Sequence, residues 1–364
     1  MSPPLISVVL PVHNAARYVA VAVESILAQS FGDFELLLIN DGSTDGSLDI
    51  LQNYTSDARV RLITQEQSGL VKALNRGWRE ARGKYIARMD ADDISLLHRF
   101  AQQVKFMEAH PEVAVLGGAA QCIDENGQKI EKVYRYPIED AEIKAALRTN
   151  SVLVHPATMI RRDALAEVGG YRAAFVDAED YDLWLRLGDR HRLANLPDVL
   201  INYRLHSGQV TVRKLFQQSL SCWGAQAAAE CRQQTGRDPA DTMKIIDIQA
   251  LRELGWPMEK IETKLCQVAE GSIMGQTIVE RKPNAQAIIK EAWNLLRRQG
   301  TRVGQAQLAW MVARWLRIQK CYGESLLWAV RACVAQPGYL WKGIGRAREK
   351  LSGRMKASPS QGIK

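Results

Sequence analysis

The sequence lacks features that would direct the protein out of the cytoplasm, and its few cysteines give no sign of covalent cross-links. It has no apolar run as long as a membrane span, and the apolar stretch LISVVLPV near its start has only the length of a strand. The amino terminus lacks the basic and apolar segments of a signal peptide. The 6 cysteines contain no CxxC pair, and their spacing indicates neither a metal site nor a disulfide framework. We therefore expect a cytoplasmic protein whose cysteines are small buried side chains.

The glycine motifs that usually hold phosphates are also missing. No GxGxxG follows the first predicted strand, which argues against NAD or FAD, and no GxxxxGK[ST] is present, which excludes a P-loop. A protein without these loops has to hold phosphates another way. A divalent metal on acidic residues would do so.

The chain of 364 residues is longer than one typical domain, and its 46% hydrophobic and 24% charged residues are typical of a globular protein. The first part alternates strand and helix patterns. Ile6–Val12 and Phe34–Asn40 are continuous apolar runs, as in buried parallel strands, and the residues between them show helical spacing. This alternation predicts an α/β fold with a mostly parallel sheet flanked by helices.

From about residue 211 the pattern is helical throughout. We place a domain boundary near 208–212, which gives a catalytic domain at 1–210 and a helical region at 211–364, with about ten disordered residues at the end. Residues 291–356 hold 13 Lys and Arg against 3 Glu, and 5 of the 9 tryptophans lie there as well. Three interpretations stay open: a helical bundle, a peripheral membrane contact through 285–356, or, least favoured for lack of a basic run or motif, nucleic-acid binding.

Polar residues stand where three predicted strands end. They are His13 and Asn14, then Asp41, and finally the run Asp90-Ala91-Asp92-Asp93. Ligands of open α/β sheets bind at this edge, where a carboxylate can accept from a base or a ribose hydroxyl. Three carboxylates within four residues repel one another unless a cation lies among them, so we expect a metal site here. The alternative is an acidic turn or a helix cap.

A second acidic run, Val176-Asp177-Ala178-Glu179-Asp180-Tyr181-Asp182, leads into a predicted helix. One of its carboxylates is a candidate general base, and the alternative is that Asp177, Glu179 and Asp180 only cap the helix. His155 begins an apolar segment and is interpreted as structural. His206 ends a strand, where a phosphate or metal contact is an alternative to a structural role.

Six motifs carry a resemblance to a known family. They are PVHN, NDGSTD, QSGLVKALNRG, ARMDADD, AEDYDLWLRL and YRLHSGQVT. In this order and at these separations, over about residues 5–210, the chain resembles the family 2 glycosyltransferases. The resemblance implies a GT-A fold, an inverting transfer from a nucleotide sugar, and a divalent metal, Mn²⁺ or Mg²⁺.

The resemblance also implies roles by position. Pro11, His13 and Asn14 look like the loop beside the base, although many relatives have an aromatic residue in place of His13. Asp41 looks like the base-binding carboxylate, and Lys72 lies in a helix that approaches the nucleotide. Asp90 looks like a ribose contact, and Asp92 looks like the metal ligand. Asp180 looks like the catalytic base, and His206 looks like a diphosphate or metal contact. Asp93 is the least defined of its cluster and is a candidate helix cap.

The resemblance therefore predicts a glycosyltransferase of cell-surface polysaccharide synthesis that uses a UDP-sugar donor and a glycan or lipid-linked glycan acceptor. It would work in the cytoplasm or at the inner face of the membrane, without nucleic acid. The alternatives are a nucleotide-sugar-binding module without turnover and a nucleotidyltransferase. The second would need a glycine-rich basic loop near the first strand, and PVHNAARY is not one.

Overall fold

The two apolar runs form neighbouring parallel strands in the computed structural model, which describes residues 3–205, 212–278, 283–298, 302–318 and 321–336. Every residue of the first two strands is buried, as expected for parallel strands covered on both faces. The elements of this half are β1 (Ile6–Val12), α1 (Val19–Leu27), β2 (Phe34–Asp41), α2 (Ser47–Gln52), β3 (Val60–Gln65), α3 (Leu70–Glu80) and β4 (Tyr85–Arg88).

A more irregular half follows. Its elements are β5 (Ile94–Ser95), α4 (Arg99–Ala109), β6 (Val113–Ile123), β7 (Lys129–Tyr134), α5 (Asp140–Leu147), β8 (Met159–Arg161), α6 (Arg162–Glu167), α7 (Glu179–Gly188) and β9 (Arg192–Arg204). A short 3₁₀ turn at His155–Ala157 precedes β8. Among these elements, α7 is the helix predicted after the second acidic run.

Within the described residues, nine strands form one sheet in the order β3-β2-β1-β4-β8-β6-β9-β5, and β7 pairs with β6. The strands β3, β2, β1 and β4 are mutually parallel, which is the predicted parallel core. Beyond β4 the sheet is mixed: β8 is antiparallel to β4 and β6, and β9 runs parallel to β6 but antiparallel to β5. Because β1, β2 and β4 are parallel neighbours, their carboxyl ends meet at one edge.

Helix α3 packs unusually close to this parallel core. A Cβ atom at Gly77 would lie 2.4 Å from Cγ1 of Val9 in β1, so glycine is needed where the helix backbone approaches the strand. The buried residues Ala73 and Leu74 share the helix face with Gly77. This packing fixes the start of α3, which adjoins the carboxyl edge of the sheet.

The described residues after β9 are mainly helical, as predicted. The helices are α8 (Val212–Thr235), α9 (Ile248–Glu253), α10 (Met258–Ile278), α11 (Pro283–Arg298), α12 (Arg302–Ile318) and α13 (Tyr322–Ala335). None of the helices among the described residues is long and apolar enough to span a membrane. Internal packing divides the chain into one unit of residues 1–210 with 220–255 and another of 211–219 with 256–364, and the catalytic boundary at 210 stays a prediction.

Candidate active site

The loops after β1 and β2 are joined by short hydrogen bonds. The His13 ring donates from Nδ1 to the carbonyl oxygen of Asp41 at 2.8 Å. The side-chain oxygen of Asn14 accepts from the Thr44 N–H at 2.7 Å, and Asn14 has a φ of 52°, a left-handed conformation that asparagine tolerates. The side chains of His13 and Asn14 are exposed at the edge, whereas Pro11 is buried within β1.

Asp41 organises the start of α3. Its Oδ1 accepts from Gln65 Nε2 at 2.7 Å and from the Ser68 N–H at 2.9 Å, and its Oδ2 accepts from the Gly69 N–H at 2.8 Å. Burial raises the pKa of Asp41, but these hydrogen bonds outweigh burial and hold the pKa below its ordinary value. Lys72 is exposed in the first turn of the helix. Both oxygens of Asp41 thus have protein donors, and a base at this carboxylate would share them.

Three carboxylates converge in the loop between β4 and β5. Oxygen atoms of Asp90, Asp92 and Asp93 all lie within 4.8 Å of one another. Asp90 forms an ion pair with the buried Arg88. Asp93 accepts the backbone N–H of Arg204 at 2.8 Å through Oδ1, while its buried Oδ2 has no hydrogen-bond partner. The loop therefore holds an unneutralised carboxylate oxygen in a nearly dry position.

The electrostatics of this loop favour a cation. Burial raises the pKa of Asp93 well above its ordinary value, and the charges of Asp90 and Asp92 raise it further. Burial also raises the pKa of Asp90, and Arg88 offsets only part of that rise. An all-oxygen cluster with one orphaned buried oxygen is a donor set that suits a hard divalent cation. The three residues therefore fit a divalent metal.

Arg204, in the last position of β9, positions the same loop. Besides its N–H bond to Asp93, its Nε donates to the carbonyl oxygen of Asp92 at 2.7 Å and its Nη1 to that of Asp124 at 3.0 Å. Its guanidinium carbon lies 4.6 Å from the centre of the Tyr18 ring. One arginine thus holds the acidic loop by two of its residues, so Asp93 has a positioning bond to β9 that the helix-cap interpretation did not foresee.

The second acidic run begins α7. Glu179 is buried, and Asp180 accepts the N–H of Tyr181 through Oδ1 at 2.7 Å. Burial raises the pKa of Asp180 to about 6, with smaller opposing effects of Arg88, which lowers it, and Asp90, which raises it. Burial and the neighbouring Asp180 raise the pKa of Glu179 to about 8. Because Arg88 and Asp90 both act on Asp180, the two acidic regions share one electrostatic environment.

Asp182, two residues further on, has a different environment. It is fully buried, and Oδ2 accepts from Arg172 Nε at 3.0 Å and from Arg186 Nε at 2.9 Å. Burial raises its pKa, but the two guanidinium groups outweigh burial and hold the pKa of Asp182 below its ordinary value. Arg172 also contacts Asp238 at 2.9 Å. Asp182 is therefore the centre of a buried ion-pair network.

Comparison with known proteins identifies the family. Residues 7–169 match the model of the glycosyl transferase family 2. The chain is 36% identical over 208 residues to the O-antigen biosynthesis glycosyltransferase WbnJ of Escherichia coli. The aligned region covers 56% of this chain and 80% of WbnJ. The chain belongs to the family 2 glycosyltransferases. The prediction of the family and of a glycosyltransferase activity is confirmed.

Two solved structures share the fold of this glycosyltransferase. Staphylococcus aureus TarS 1–349 in complex with UDP-GlcNAc has a TM-score of 0.53 at 17% identity, covering 93% of this chain and 92% of that one. The mannosyltransferase PcManGT of Pyrobaculum calidifontis, in complex with GDP-Man and Mn²⁺, has a TM-score of 0.51 at 17% identity over 94% and 88% of the two chains. The predicted α/β fold of the GT-A type is confirmed.

The two singled-out histidines of the glycosyltransferase have different outcomes. His155 is buried, its Nε2 lies 2.9 Å from the Tyr171 hydroxyl, and burial holds its pKa well below the ordinary value. This environment supports the structural interpretation of a neutral histidine. His206 lies outside the described residues, so its predicted metal or diphosphate contact stays a prediction.

Two arginines were missed in the sequence although they shape the site. Arg88 is a cation inside the buried strand β4, two residues before Asp90, and that local contrast could have revealed it. Arg204 gave a weaker signal, since it simply ends a strand near His206. Both arginines act on the acidic loop, and their positions explain why only part of its negative charge is neutralised.

Proposed function

We propose that this glycosyltransferase moves a sugar from a nucleoside diphosphate sugar, UDP-linked, to a hydroxyl group of a glycan or lipid-linked glycan, and that the transfer inverts the anomeric configuration. One observation carries the proposal. Oxygen atoms of Asp90, Asp92 and Asp93 lie within 4.8 Å of one another just after β4, and the charges of Asp90 and Arg88 both act on the pKa of the proposed base, Asp180. A base near the donor phosphates is what a single displacement requires.

The donor would lie along the carboxyl edge of β1, β2 and β4. Asp41 would accept from the base, beside a loop that contains Pro11, His13 and Asn14, with Lys72 close by in α3. Asp90 would contact the ribose, and Asp92 would hold the metal, joined by His206. The hydrogen bonds that join the two loops support this assignment, because they fix the residues around one crevice before any ligand binds.

Asp180 would remove the proton from the acceptor hydroxyl as its oxygen attacks the anomeric carbon. With a pKa of about 6, this carboxyl group is mostly ionised at neutral pH yet is a stronger base than an ordinary aspartate. The Tyr181 N–H holds Asp180 Oδ1 and leaves Oδ2 for the proton. Attack opposite the leaving diphosphate in one step inverts the configuration at that carbon.

Asp92 and Asp93 would bind the divalent metal, Mn²⁺ or Mg²⁺, with Asp90 beside them. A bound divalent cation offsets the negative charge that grows on a leaving diphosphate. Arg204 keeps the two residues in place, because it donates hydrogen bonds to the backbone carbonyl oxygen of Asp92 and to the side chain of Asp93. Arg88 limits the repulsion at Asp90 and so lets the carboxylates stay close together.

The setting we propose is cell-surface polysaccharide synthesis, which agrees with the role of WbnJ in O-antigen biosynthesis. Residues 1–210 would form the catalytic domain. The helical region would hold the enzyme at the inner face of the membrane through part of 285–356, where a lipid-linked acceptor is accessible. The net charge of +10 in residues 291–356 supports this location, since anionic lipids attract such segments.

The proposal can be tested by measuring metal-dependent donor binding. Isothermal titration with UDP-GlcNAc, UDP-glucose, UDP-galactose and GDP-mannose, with and without Mn²⁺, should find one UDP-sugar whose affinity depends on the metal. Asp92→Ala should lower that affinity by about 10- to 100-fold in the presence of Mn²⁺. Asp49→Ala, at an exposed position in α2, is the matched control and should bind like the wild type.

The products separate the alternatives. Release of a nucleoside diphosphate together with an inverted glycoside supports the proposal. Pyrophosphate as the product would indicate a nucleotidyltransferase, and tight binding without turnover on any acceptor would indicate a binding module. Equal affinity of wild type and Asp92→Ala would show that Asp92 is not a metal ligand.

A further inference from the structure

Helix α13 presents its large apolar side chains outward. Leu326, Leu327, Val330 and Val334 are 68%, 53%, 51% and 77% exposed. Single exposed apolar residues are common on protein surfaces, but four on one 14-residue helix form a patch. We call these four residues the α13 stripe.

The geometry of the helix shows that the α13 stripe is one continuous face. Successive residues of an α-helix are about 100° apart, so the four side chains fall within an arc of about 100°. The opposite face packs on α12: the Ser325 hydroxyl donates to the carbonyl oxygen of Ala313 at 2.8 Å, and Ala332 is fully buried. A surface helix normally buries its widest apolar face, and α13 instead buries small residues and exposes Leu and Val.

The charge on α13 and the composition of the sequence after it indicate which partner would cover the stripe. Arg331 is exposed on α13, and its guanidinium carbon lies 4.5 Å from the centre of the Trp328 ring. The sequence that follows the helix, 337–356, contains six Lys and Arg against one Glu, together with Trp341. An apolar stripe followed by cations and aromatic residues matches the composition of interfacial helices that bind anionic lipids. A second copy of the chain would bring two segments of the same positive sign together, which disfavours self-association.

We propose that the α13 stripe inserts into the interface of an anionic membrane while Arg331 on the same helix binds a lipid headgroup. This inference rests on the proposed membrane location of the enzyme and names the surface that makes the contact. The contact is peripheral, with the helix lying in the plane of the interface. It would hold the catalytic domain close to an acceptor that is itself anchored in the lipid.

Vesicle co-sedimentation of the full chain tests this surface. The wild type should partition into vesicles of phosphatidylcholine with phosphatidylglycerol, and added salt should weaken the binding. A variant with Leu326→Ser, Leu327→Ser, Val330→Thr and Val334→Thr should lower the partition coefficient by on the order of 10- to 100-fold. Because all four side chains are more than half exposed, the variant should keep the wild-type circular dichroism and melting temperature.

A matched control carries Val21→Thr, Leu97→Ser and Ile138→Thr, at residues that are 45%, 52% and 41% exposed elsewhere on the protein. It should bind vesicles like the wild type. Unchanged binding of the four-residue variant, or equal binding of the wild type to phosphatidylcholine alone, would overturn the proposal. So would a wild-type dimer in sedimentation equilibrium that the four-residue variant dissociates, because a second copy would then cover the stripe.

The affinity for the UDP-sugar, measured on the same samples, keeps the two proposals apart. Lost vesicle binding with unchanged donor affinity supports the lipid contact. Vesicle binding that depends on the stripe, in a protein that binds no nucleotide sugar, would reject the proposed reaction and leave the membrane surface intact.

Discussion

Two acidic runs, Asp90 to Asp93 and Asp177 to Asp182, have similar composition, but the pKa values of their carboxyl groups are shifted in both directions. Arg88 pairs with Asp90 but leaves the pKa of Asp90 raised, whereas two arginines hold the pKa of Asp182 below its ordinary value. In the described part of the chain no arginine pairs with Asp93, Glu179 or Asp180, and burial raises the pKa of all three. The comparison indicates that the number of guanidinium groups around a buried carboxylate, rather than the spacing of the acids, decides whether its pKa falls below or rises above the ordinary value.

The largest expected effect is on catalysis at Asp180. Asp180→Asn keeps the size of the side chain and the acceptor for the Tyr181 N–H but removes the base. We expect kcat to fall by about 10²- to 10⁴-fold, the usual contribution of a general base. Steady-state kinetics at saturating donor and acceptor measure the loss. The affinity for the UDP-sugar should stay that of the wild type, since the proposed role of Asp180 is to take a proton from the acceptor.

The same substitution sharpens the comparison through stability. Removing the charge of a half-buried carboxyl group that has no ion-pair partner in the described residues should leave the melting temperature unchanged or slightly raised. A variant that retains near-wild-type kcat would show that Asp180 is not the base. A variant that is inactive because it no longer binds donor would place Asp180 in the donor site instead.

Asp182→Asn should have the opposite profile, with a large loss of stability. The substitution leaves Arg172 and Arg186 facing each other across a buried position without their shared counter-charge. We expect the free energy of unfolding to fall by about 3–5 kcal/mol, as for other broken buried ion pairs. Urea unfolding with circular dichroism measures it.

Asp189→Asn is the matched control for this loss. Asp189 lies at the end of α7, is partly exposed, and pairs with Arg232 at 2.8 Å. A partly exposed pair contributes less than about 1 kcal/mol, so this variant should unfold almost like the wild type. Equal losses in the two variants would refute the distinction between the buried network and a surface ion pair.

Local patterns were enough to predict the edge at which the site lies. The strands β1 and β2 are continuous apolar runs, and the residues after them are polar, so their ends could be placed to within a residue. Parallel strands bring such ends together whatever the rest of the chain does. The positions of His13, Asn14 and Asp41 at one edge follow from these local facts.

The contacts that tune the site depend on distant parts of the chain. Arg204 lies 111 residues after Asp93, and their hydrogen bond exists only because β9 returns beside β5. The return of β9 parallel to β6, and of β8 antiparallel to β4, has no local signature in an apolar run. The outward apolar face of α13 was also hidden, because helical spacing identifies a face but does not say whether another element covers it.

The smallest effect we predict is a pH dependence that assigns the reactive carboxyl group within the run. Asp180 must be ionised to accept a proton, and burial raises its pKa to about 6. At saturating donor and metal, kcat should therefore be constant above pH 7 and fall about tenfold per pH unit below about pH 6. Glu179, with a pKa raised to about 8 by burial and by Asp180, stays protonated near pH 6, where the acidic limb begins. Glu179→Gln should thus keep the acidic limb near pH 6, whereas the residual activity of Asp180→Asn should lack it.

If Glu179→Gln abolished the limb and Asp180→Asn retained it, the two neighbouring carboxyl groups would exchange roles, because the group whose ionisation limits kcat would be Glu179.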